Sequence, residues 1–308
     1  MKSVSDRTVF IAIVDEGSLT RAADRLGLSL AVCSKRLLTL ENRLGVRLLN
    51  RTTRQQHLTD AGSLYYEHCL RIQEDIDAVE SSLAGLRDSI QGTLRVTTSA
   101  SFGRKHVSPV VPEFLKQHPG IKLQLIMTDN VLDMVAEGID VGIRIGALAD
   151  SSLIAIKLAP NRRVLCASPA YLQRAGTPLS PDQLGEHDCL VLSSRSASHD
   201  VWTFETSRGV VRVPVSSVVA SNSGEVVRDA AIGGLGIGIK SIWDITEELR
   251  KGDLVTVLDD YPLAHMDIFA VYHNRRYVAP KVRAWIDFFK TRFGSPPYWE
   301  AGLAPADQ

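Results

Sequence analysis

The stretch that decides the fold runs from Phe10 to Arg54 and reads FIAIVDEGSLTRAADRLGLSLAVCSKRLLTLENRLGVRLLNRTTR. Apolar residues recur in it at helical spacing, and Gly17 and Gly27 follow its first two apolar segments. Glycine is common just beyond a helix, while Ser18 and Ser29 can cap the helices that follow. The stretch therefore predicts three short helices with a tight turn between the second and the third, the layout of a helix-turn-helix unit.

The third predicted helix has an apolar side and a polar side. Residues expected to face the core are Val32 or Cys33, Leu37, Leu40 and Leu44. Hydroxyl and cationic side chains on the other side suit phosphates and base edges in the major groove. Next, VRLLNRTTRQQHLT alternates like two short strands around a polar turn, which predicts a β-wing. The residues predicted to contact DNA, with a solvated surface as the alternative, are Arg21, Ser34, Lys35, Arg36, Thr39, Arg51, Thr52 and Arg54.

The formal net charge of zero hides an asymmetry along the chain. Residues 1–60 hold ten Lys and Arg against six Asp and Glu, whereas residues 61–92 hold two against six. A cationic cluster on a neutral protein indicates an anionic partner that one small part of the chain contacts.

A heptad stripe follows the wing. Thr59 can cap a helix whose apolar residues are spaced alternately four and three apart. A stripe of this kind on one helix calls for a partner helix, with a long core helix as the alternative. The residues predicted to form the dimer contact are Tyr65, Cys69, Ile72, Ile76, Val79, Leu83 and Leu86.

The pattern changes to alternating strands and helices after Gly92. Two such cycles, the first including VLDMVAEGID as a helical stretch, predict mostly parallel sheets covered by helices on both faces. Ligands of such sheets sit beyond the carboxyl ends of strands, and hydroxyl groups at a helix start suit a carboxylate. The first such strand end here is TTSAS at Thr97–Ser101, so we expect an anion site there. Arg144 is expected to form a structural ion pair with nearby Asp140, with an anion contact as the alternative.

Length and composition set the broad class. With 308 residues, the chain is long enough for about two domains at roughly 150 residues each. No apolar run of membrane-spanning length occurs and the N-terminus carries early charges, so we expect a cytoplasmic protein without a membrane partner. The four cysteines are expected to be buried free thiols, although a regulatory pair of Cys166 with Cys189 stays open. We predict no metal site, no cofactor and no catalytic residues.

Two other function classes compete with DNA binding. An enzyme is disfavoured because the sequence has no GxSxG, HExxH or phosphate-loop motif, and GGLGIG at Gly233–Gly238 leads from a helix into a strand. That order is the reverse of what a dinucleotide site needs. A transport-type solute-binding protein is disfavoured by the absence of a signal peptide and by the predicted DNA-binding region.

The chain resembles the LysR-type transcriptional regulators up to about residue 294. The motifs that carry the resemblance are FIAIVDEGSLTRAADRLGLS from Phe10, the SKRLLTLENRLGVRLLNRTTR run, LTDAG at Leu58–Gly62, GTLRV at Gly92–Val96, GIDVGIRIG at Gly138–Gly146 and GGLGIGI at Gly233–Ile239. One departure is Leu30, where the family commonly has a polar residue after the cap serine. Leucine cannot hydrogen-bond a base edge, although it can contact a thymine methyl group, so base reading is expected to shift to Ser34, Lys35 and Arg36.

The resemblance implies an α+β multidomain fold: a winged helix-turn-helix, a long linker helix and a two-lobed α/β effector domain like that of periplasmic binding proteins. The implied boundaries are 1–60 for the DNA-binding domain, 61–91 for the dimerising helix, 92–163 with 267–294 for lobe 1, 164–266 for lobe 2 and 295–308 for a loose tail. Implied partners are operator DNA, a small organic acid as effector and further copies in a homodimer or homotetramer. RNA polymerase stays open as a partner.

The resemblance also implies which residues contact the effector. The candidates are Ser99, Ala100, Ser101 and Thr128, with Ser193, Ser194, Trp202 and Asn222 as weaker ones. Helix capping is the alternative role for the serines, and core packing is the alternative for Trp202.

Overall fold

The structure, a computed structural model, describes residues 5–51, 56–83, 90–130, 132–146, 153–193, 200–206, 209–264, 266–273 and 278–302. The chain forms two compact units, residues 1–89 and residues 90–308. None of the helices within the described ranges has the length and apolar character needed to cross a membrane.

The first unit contains the predicted helices and wing. Ser5 and Ser29 cap two of the helices by accepting from the backbone N–H groups of Thr8 and Val32. Gly17 and Gly27 end helices in the left-handed region, at φ 61° and 65°, which glycine adopts without strain. The predicted elements are confirmed as α1 (Asp6–Glu16), α2 (Leu19–Leu26), α3 (Leu30–Leu44), β1 (Leu49–Arg51), β2 (Gln56–Leu58) and α4 (Asp60–Leu83).

The apolar sides of α1, α2 and α3 meet in the core of the first unit. Cys33, Leu37 and Leu40 are buried as predicted, and Cys33 rather than Val32 takes the first inward position. The prediction for Leu44 is wrong, because this leucine is 38% exposed at the helix end. The carboxylate of buried Glu41 faces the wing and accepts from the backbone N–H groups of Leu48 at 2.8 Å and Leu49 at 3.3 Å.

Two five-stranded sheets organise the second unit, and we call the parts built on them lobe 1 and lobe 2. The first sheet has the order β4-β3-β5-β14-β6 and the second β11-β8-β12-β7-β13. In each sheet the fourth strand of this order runs antiparallel to the other four, so two strand pairings are parallel, two are antiparallel, and the sheets are mixed. The strands of lobe 1 are β3 (Gln91–Thr98), β4 (Gly120–Met127), β5 (Val141–Ile145), β6 (Leu153–Ala159) and β14 (Ile268–His273).

Lobe 2 carries a two-stranded hairpin beside its sheet, in which β9 and β10 pair antiparallel. Trp202 and Phe204 of this hairpin pack into the lobe 2 core. The strands of lobe 2 are β7 (Arg163–Ala167), β8 (Cys189–Leu192), β9 (Val201–Thr206), β10 (Gly209–Pro214), β11 (Ser217–Ser221), β12 (Ile237–Ser241) and β13 (Val255–Val257).

Helices cover both sheets. A nearly continuous helical segment follows β3: α5 (Ala100–Phe102), a π-helical turn (Gly103–Val107), a 3-10 turn (Ser108–Val110) and α6 (Val111–Gln117). The remaining helices are α7 (Pro169–Ala175), a 3-10 turn (Pro181–Glu186), α8 (Gly224–Ile232), α9 (Ile242–Lys251), α10 (Pro280–Phe293) and a 3-10 turn (Tyr298–Glu300).

The predicted helix at 131–140 is instead a turn over residues 134–138. The Asp133 carboxylate accepts from the backbone N–H groups of Val135 at 2.9 Å and Ala136 at 3.1 Å. Aspartate side chains of this kind compete with regular helical hydrogen bonds. Gly138, with φ 60°, then turns the chain towards β5.

The segment after Gly294, predicted to be a loose tail, is anchored by two buried residues, Pro297 and Trp299. Trp299 is 4% exposed and lies in the lobe 1 core, with its ring centroid 5.1 Å from that of Phe293. Its backbone carbonyl accepts from the Thr246 hydroxyl of α9 at 3.1 Å. The Pro- and Gly-rich composition that suggests a tail misses the buried aromatic ring that anchors it; residues 303–308 lie outside the described ranges.

The four cysteines are buried free thiols, as expected. Gly238 of β12 is in register with both Cys166 of β7 and Leu190 of β8, so Cys189 faces the opposite side of the sheet from Cys166. This rules out a Cys166–Cys189 disulfide in this fold. Burial raises the pKa of both thiols to about 12, which keeps them protonated and unreactive.

Candidate functional site

The outward side of α3 is the candidate nucleic-acid surface of the first unit. Lys35 and Thr39 are exposed, and the Thr39 hydroxyl donates to the Lys35 carbonyl at 2.9 Å. Ser34 and Arg36 are half-buried. The Arg36 guanidinium lies 3.1 Å from the Asp6 carboxylate at the start of α1, a partner that sequence reasoning missed because the two residues are distant along the chain.

The other predicted DNA contacts are spread around this helix. Arg21 is exposed on α2 and donates to the carbonyl of Glu16 at the end of α1. Arg51 ends β1, where the structure describes the backbone only, and Thr52 and Arg54 lie outside the described residues. The part of this surface that the structure describes is therefore α3 with Arg21 beside it.

The heptad stripe of α4 divides into two parts. The Tyr65 ring packs against Phe10 of α1, with centroids 5.5 Å apart, and Cys69 is 1% exposed. These two residues face the core of their own unit. Ile72 and Ile76 are 45% and 37% exposed and leave an apolar stripe on the helix surface. The side chains of Val79 and Leu83 and all of Leu86 lie outside the described part.

In the second unit, candidate effector residues meet at the carboxyl end of β3. Ser99 precedes α5 with extended backbone and makes no capping hydrogen bond with its side chain. The Ala100 N–H group, expected to be free for an anion, already donates to the Asp129 carboxylate at 3.0 Å. Thr128 follows β4, and its hydroxyl accepts from the Asn130 N–H group at 3.2 Å. Two of the predicted groups are thus partly used by the fold itself.

The start of α8 in lobe 2 lies opposite this strand end. A Cβ atom placed on Gly224 would lie 3.5 Å from the hydroxyl oxygen of buried Ser101 and 3.4 Å from the Lys240 ammonium. Ser193 and Asn222, which follow β8 and β11, lie at the carboxyl edge of the second sheet. We call the region between these two sheet edges the interlobe cleft, and its candidate lining residues are Ser99, Ser101, Thr128, Ser193 and Asn222.

Trp202 does not lie at a strand end. It is 4% exposed within the apolar core of lobe 2, the position given by the core-packing alternative. Ser194 lies outside the described residues.

Ion pairs bridge the two lobes beside the cleft, and sequence reasoning missed them. The exposed Arg104 guanidinium binds the Glu225 carboxylate of α8 through both ends, with Nε donating to Oε1 at 2.9 Å. Asp244 of α9, 1% exposed, lies 2.5 Å from the Lys240 ammonium and 2.9 Å from the Arg228 guanidinium. The two Asp244 pairs lie within lobe 2, whereas Arg104 and Glu225 are 121 residues apart, and a pair so distant leaves no periodic signal in the sequence.

Lys105 of lobe 1 also reaches Asp244, with Nζ 3.4 Å from Oδ1. Burial alone would raise the pKa of this carboxyl, but the three cations around it more than compensate and lower the pKa below its usual value. Asp244 is therefore an anionic centre that fixes α9 against both lobes.

Several buried polar atoms near the strand ends have no hydrogen-bond partner within the described ranges. They include the Thr97 and Thr98 hydroxyls, Arg144 Nη2 and both side-chain polar atoms of Asn161, which is 2% exposed where the chain crosses from β6 to β7. Such atoms are uncommon in folded proteins and call for an explanation.

The predicted Arg144–Asp140 ion pair is wrong. Asp140 instead lies 3.2 Å from the Lys281 ammonium and accepts from the Arg95 N–H group at 2.9 Å. Arg144 stands one residue beyond the register pair Thr98–Ile143, which places it beside Ser99. Burial lowers the pKa of its guanidinium.

Clusters of His, Cys, Asp and Glu that could hold a metal ion are absent from the described part of the chain.

Comparison with known proteins matches both units. Residues 5–63 match the bacterial regulatory helix-turn-helix protein, lysR family, and residues 87–294 match the LysR substrate binding domain. The transcriptional regulator DmlR of Escherichia coli (strain K12) is 36% identical over 290 residues, covering 94% of each chain. The transcriptional activator TtdR of the same strain is 36% identical over 295 residues, covering 94% of this chain and 95% of TtdR.

A solved structure of a relative indicates the same family. CrgA, a LysR-type transcriptional regulator from Neisseria meningitidis, is 30% identical with a TM-score of 0.60, over 93% of this chain and 97% of CrgA. The helix-turn-helix and the two mixed α/β sheets thus indicate the same family as the sequence motifs. The chain belongs to the LysR family, and it is a DNA-binding transcriptional regulator with an effector-binding domain and not an enzyme.

Proposed function

We propose that this regulator binds its operator through α3 and the β1–β2 wing, and that a small organic acid in the interlobe cleft controls the binding. The subunits associate through α4 as a homodimer, and pairs of dimers form a homotetramer. Closure of the lobes on the acid changes how subunits pack, and this packing sets the spacing of the DNA-binding units.

The DNA side of the proposal is supported by the chemistry of α3. This helix exposes Lys35 beside the half-buried Ser34 and Arg36, while its apolar side is used up by the core. Cations bind phosphates and guanine edges, and the N-terminal half of a recognition helix is the part that meets the major groove. The excess of positive charge in residues 1–60 also favours binding to DNA phosphates.

Arg144 is the observation that carries the effector class. Its guanidinium is half-buried at the carboxyl end of β5, and Nη2 has no hydrogen-bond partner in the described ranges. A planar guanidinium binds a carboxylate through two parallel hydrogen bonds, and burial strengthens such bonds. The hydroxyls of Ser99 and Thr128 add neutral donors at the same sheet edge. An organic acid fits this combination better than a cation or an apolar ligand.

Footprinting on the DNA upstream of the protein's own gene, with and without a panel of carboxylates, tests both halves of the proposal. We expect protection of two half-sites, and a change in the protected length with at least one acid. Absence of binding at low salt would contradict operator binding at that locus. Isothermal titration without heat from any acid at millimolar concentration would contradict the effector class.

Two arginine variants separate a cleft contact from a general charge effect. Arg144→Gln is expected to abolish the response to the acid and to leave DNA binding intact. Arg212→Gln removes an exposed arginine from the β9–β10 hairpin of the same unit and is the matched control. An equal response of wild type and Arg144→Gln to the acid would refute the role of Arg144.

The exposed part of the α4 stripe supports the dimer. Ile72 and Ile76 are four residues apart on one side of the helix, where they can pack against the same residues of a second copy. Ile76→Glu is expected to shift sedimentation towards the monomer, while Ser63→Glu, an exposed position of the same helix outside the stripe, should not. Unchanged sedimentation of Ile76→Glu would show that the dimer forms elsewhere.

A further inference from the structure

The first turn of α3 offers no exposed polar side chain. It consists of Leu30, Ala31, Val32 and Cys33, and Ser29 caps it by accepting from the Val32 N–H group at 3.3 Å. Leu30 is 49% exposed and Val32 is 40% exposed, whereas Cys33 is fully buried. The side-chain groups that this turn can present to a partner are therefore methyl groups.

Leu30 lies outside the core, so its side chain is not needed for core packing. It is not among the residues that pack against the apolar cluster of α1, α2 and α3. Polar side chains begin one turn later at Ser34, about 6 Å further along the helix axis. A single exposed leucine is common on a protein surface. Here, however, exposed apolar side chains fill the turn of a recognition helix that enters the groove first.

The major groove presents one apolar group to such a turn. Adenine, guanine and cytosine show hydrogen-bond donors and acceptors there, while thymine adds a C5-methyl group. An apolar side chain gains contact with this methyl group, and it leaves the donors and acceptors of other bases unpaired. The turn therefore discriminates in favour of thymine.

We propose that Leu30 is a specificity-determining residue that recognises one thymine in each operator half-site through its C5-methyl group. Val32 flanks this contact, and Ser34 and Lys35 read the next base pairs. The inference rests on the proposed function, because it requires that α3 is the helix that binds the operator.

The test compares thymine with uracil, which lacks only the C5-methyl group. Full-length protein first enriches its preferred duplex from a randomised library, and each thymine of that duplex is then replaced by uracil in turn. Loss of one buried methyl group predicts about a fourfold weaker binding at one thymine per half-site. For Leu30→Ala, the thymine and uracil duplexes should bind equally at that position, since the contacting side chain is gone.

Leu44→Ala is the matched control. This leucine is 38% exposed at the opposite end of the same helix, and its loss should keep the full sensitivity to uracil. Leu30→Ala is expected to fold normally, because alanine favours helix and Leu30 is outside the core; circular dichroism checks this.

Each outcome has one meaning. Sensitivity to uracil that disappears in Leu30→Ala and persists in Leu44→Ala supports the inference. Insensitivity at every thymine, or sensitivity that survives in Leu30→Ala or is lost only in Val32→Ala, overturns it and leaves operator binding in place. A protein that enriches no sequence contradicts the proposed function itself.

Discussion

His106 makes the stability of the second unit depend on pH between 6.5 and about 4. This histidine is 6% exposed in the π-helical turn after α5. Its Nε2 atom is 3.0 Å from the Trp243 carbonyl, which requires a proton on Nε2, and Nδ1 then accepts from the Tyr298 hydroxyl at 2.6 Å. The ring also packs against Trp299, with centroids 4.9 Å apart. The neutral ring is therefore satisfied on both nitrogens.

The sign and size of the effect follow from this environment. Burial lowers the pKa of His106 from 6.5 to about 4, helped by nearby Lys105, while the Trp243 carbonyl and Asp244 act in the opposite direction. In the unfolded chain the ring has its ordinary pKa, so the unfolded state binds more protons between pH 6.5 and about 4. Stability is complete above this window and falls by about 3 kcal/mol as the pH decreases through it.

Denaturation with urea at a series of pH values measures this loss. All four tryptophans lie in the second unit, so their fluorescence reports its unfolding without contribution from the first. His106→Phe keeps an aromatic ring and removes the titration. This variant is less stable at pH 7, because two polar partners lose their bonds, but its free energy of unfolding should vary less between pH 7 and pH 5.

The comparison of slopes isolates His106 from the other histidines, which are the same in both proteins. The lowered pKa of Asp244 does not interfere, because the stability that this carboxyl adds is present above its ordinary value of 3.8 and is lost only below it. Parallel pH profiles for wild type and His106→Phe would refute the reasoning.

Three further predictions concern the C-terminal segment, the buried anion and the DNA surface. Trp299→Ala should lower the free energy of unfolding by about 3–5 kcal/mol, since it empties a buried aromatic site, whereas a loose tail would show no change in urea denaturation. Asp244→Asn should cost about 3–5 kcal/mol by leaving buried cations unpaired, and an unchanged denaturation midpoint would contradict the ion-pair network. Arg36→Ala and Arg51→Ala should each weaken DNA binding and reduce its salt slope by about one, while Arg250→Ala on α9 should not; unchanged slopes in both would show that the DNA surface lies elsewhere.

Local signals in the sequence predict local structure well in this chain. Gly27 and Ser29 flank a turn whose geometry depends on residues adjacent in sequence, and both positions are confirmed. Long-range partners have no such signal. Arg104 and Glu225 are 121 residues apart, and the chemistry of each is that of any surface charge until the fold brings them together.

Each wrong prediction of an element has a physical reason. The apolar spacing of 131–140 fits a helix, but Asp133 takes backbone N–H groups that the helix needs. The C-terminal segment is predicted to be unstructured because composition alone does not reveal that the Trp299 ring packs in the lobe 1 core. The α4 stripe predicts one continuous dimer seam, yet its first two members face their own unit, where Tyr65 packs against Phe10 and Cys69 is buried. A local side-chain contact thus overrides the helical period at Asp133, whereas tertiary contacts decide the structure of the C-terminal segment and of the start of α4.

The segment from Ser99 to His106 connects the candidate effector contacts with both lobes and the C-terminal segment. Its start lines the interlobe cleft, Arg104 and Lys105 pair with lobe 2, and His106 binds Tyr298. The Arg104–Glu225 pair is exposed, and exposed pairs contribute at most about 1 kcal/mol, so it can open at little cost. The pairs of Asp244 are buried and costly to break. We therefore expect the lobes to move about the Asp244 cluster while the Arg104 contact opens and closes. Under the proposed function, a carboxylate at Arg144 selects one of these arrangements only if it binds that arrangement more tightly than the other.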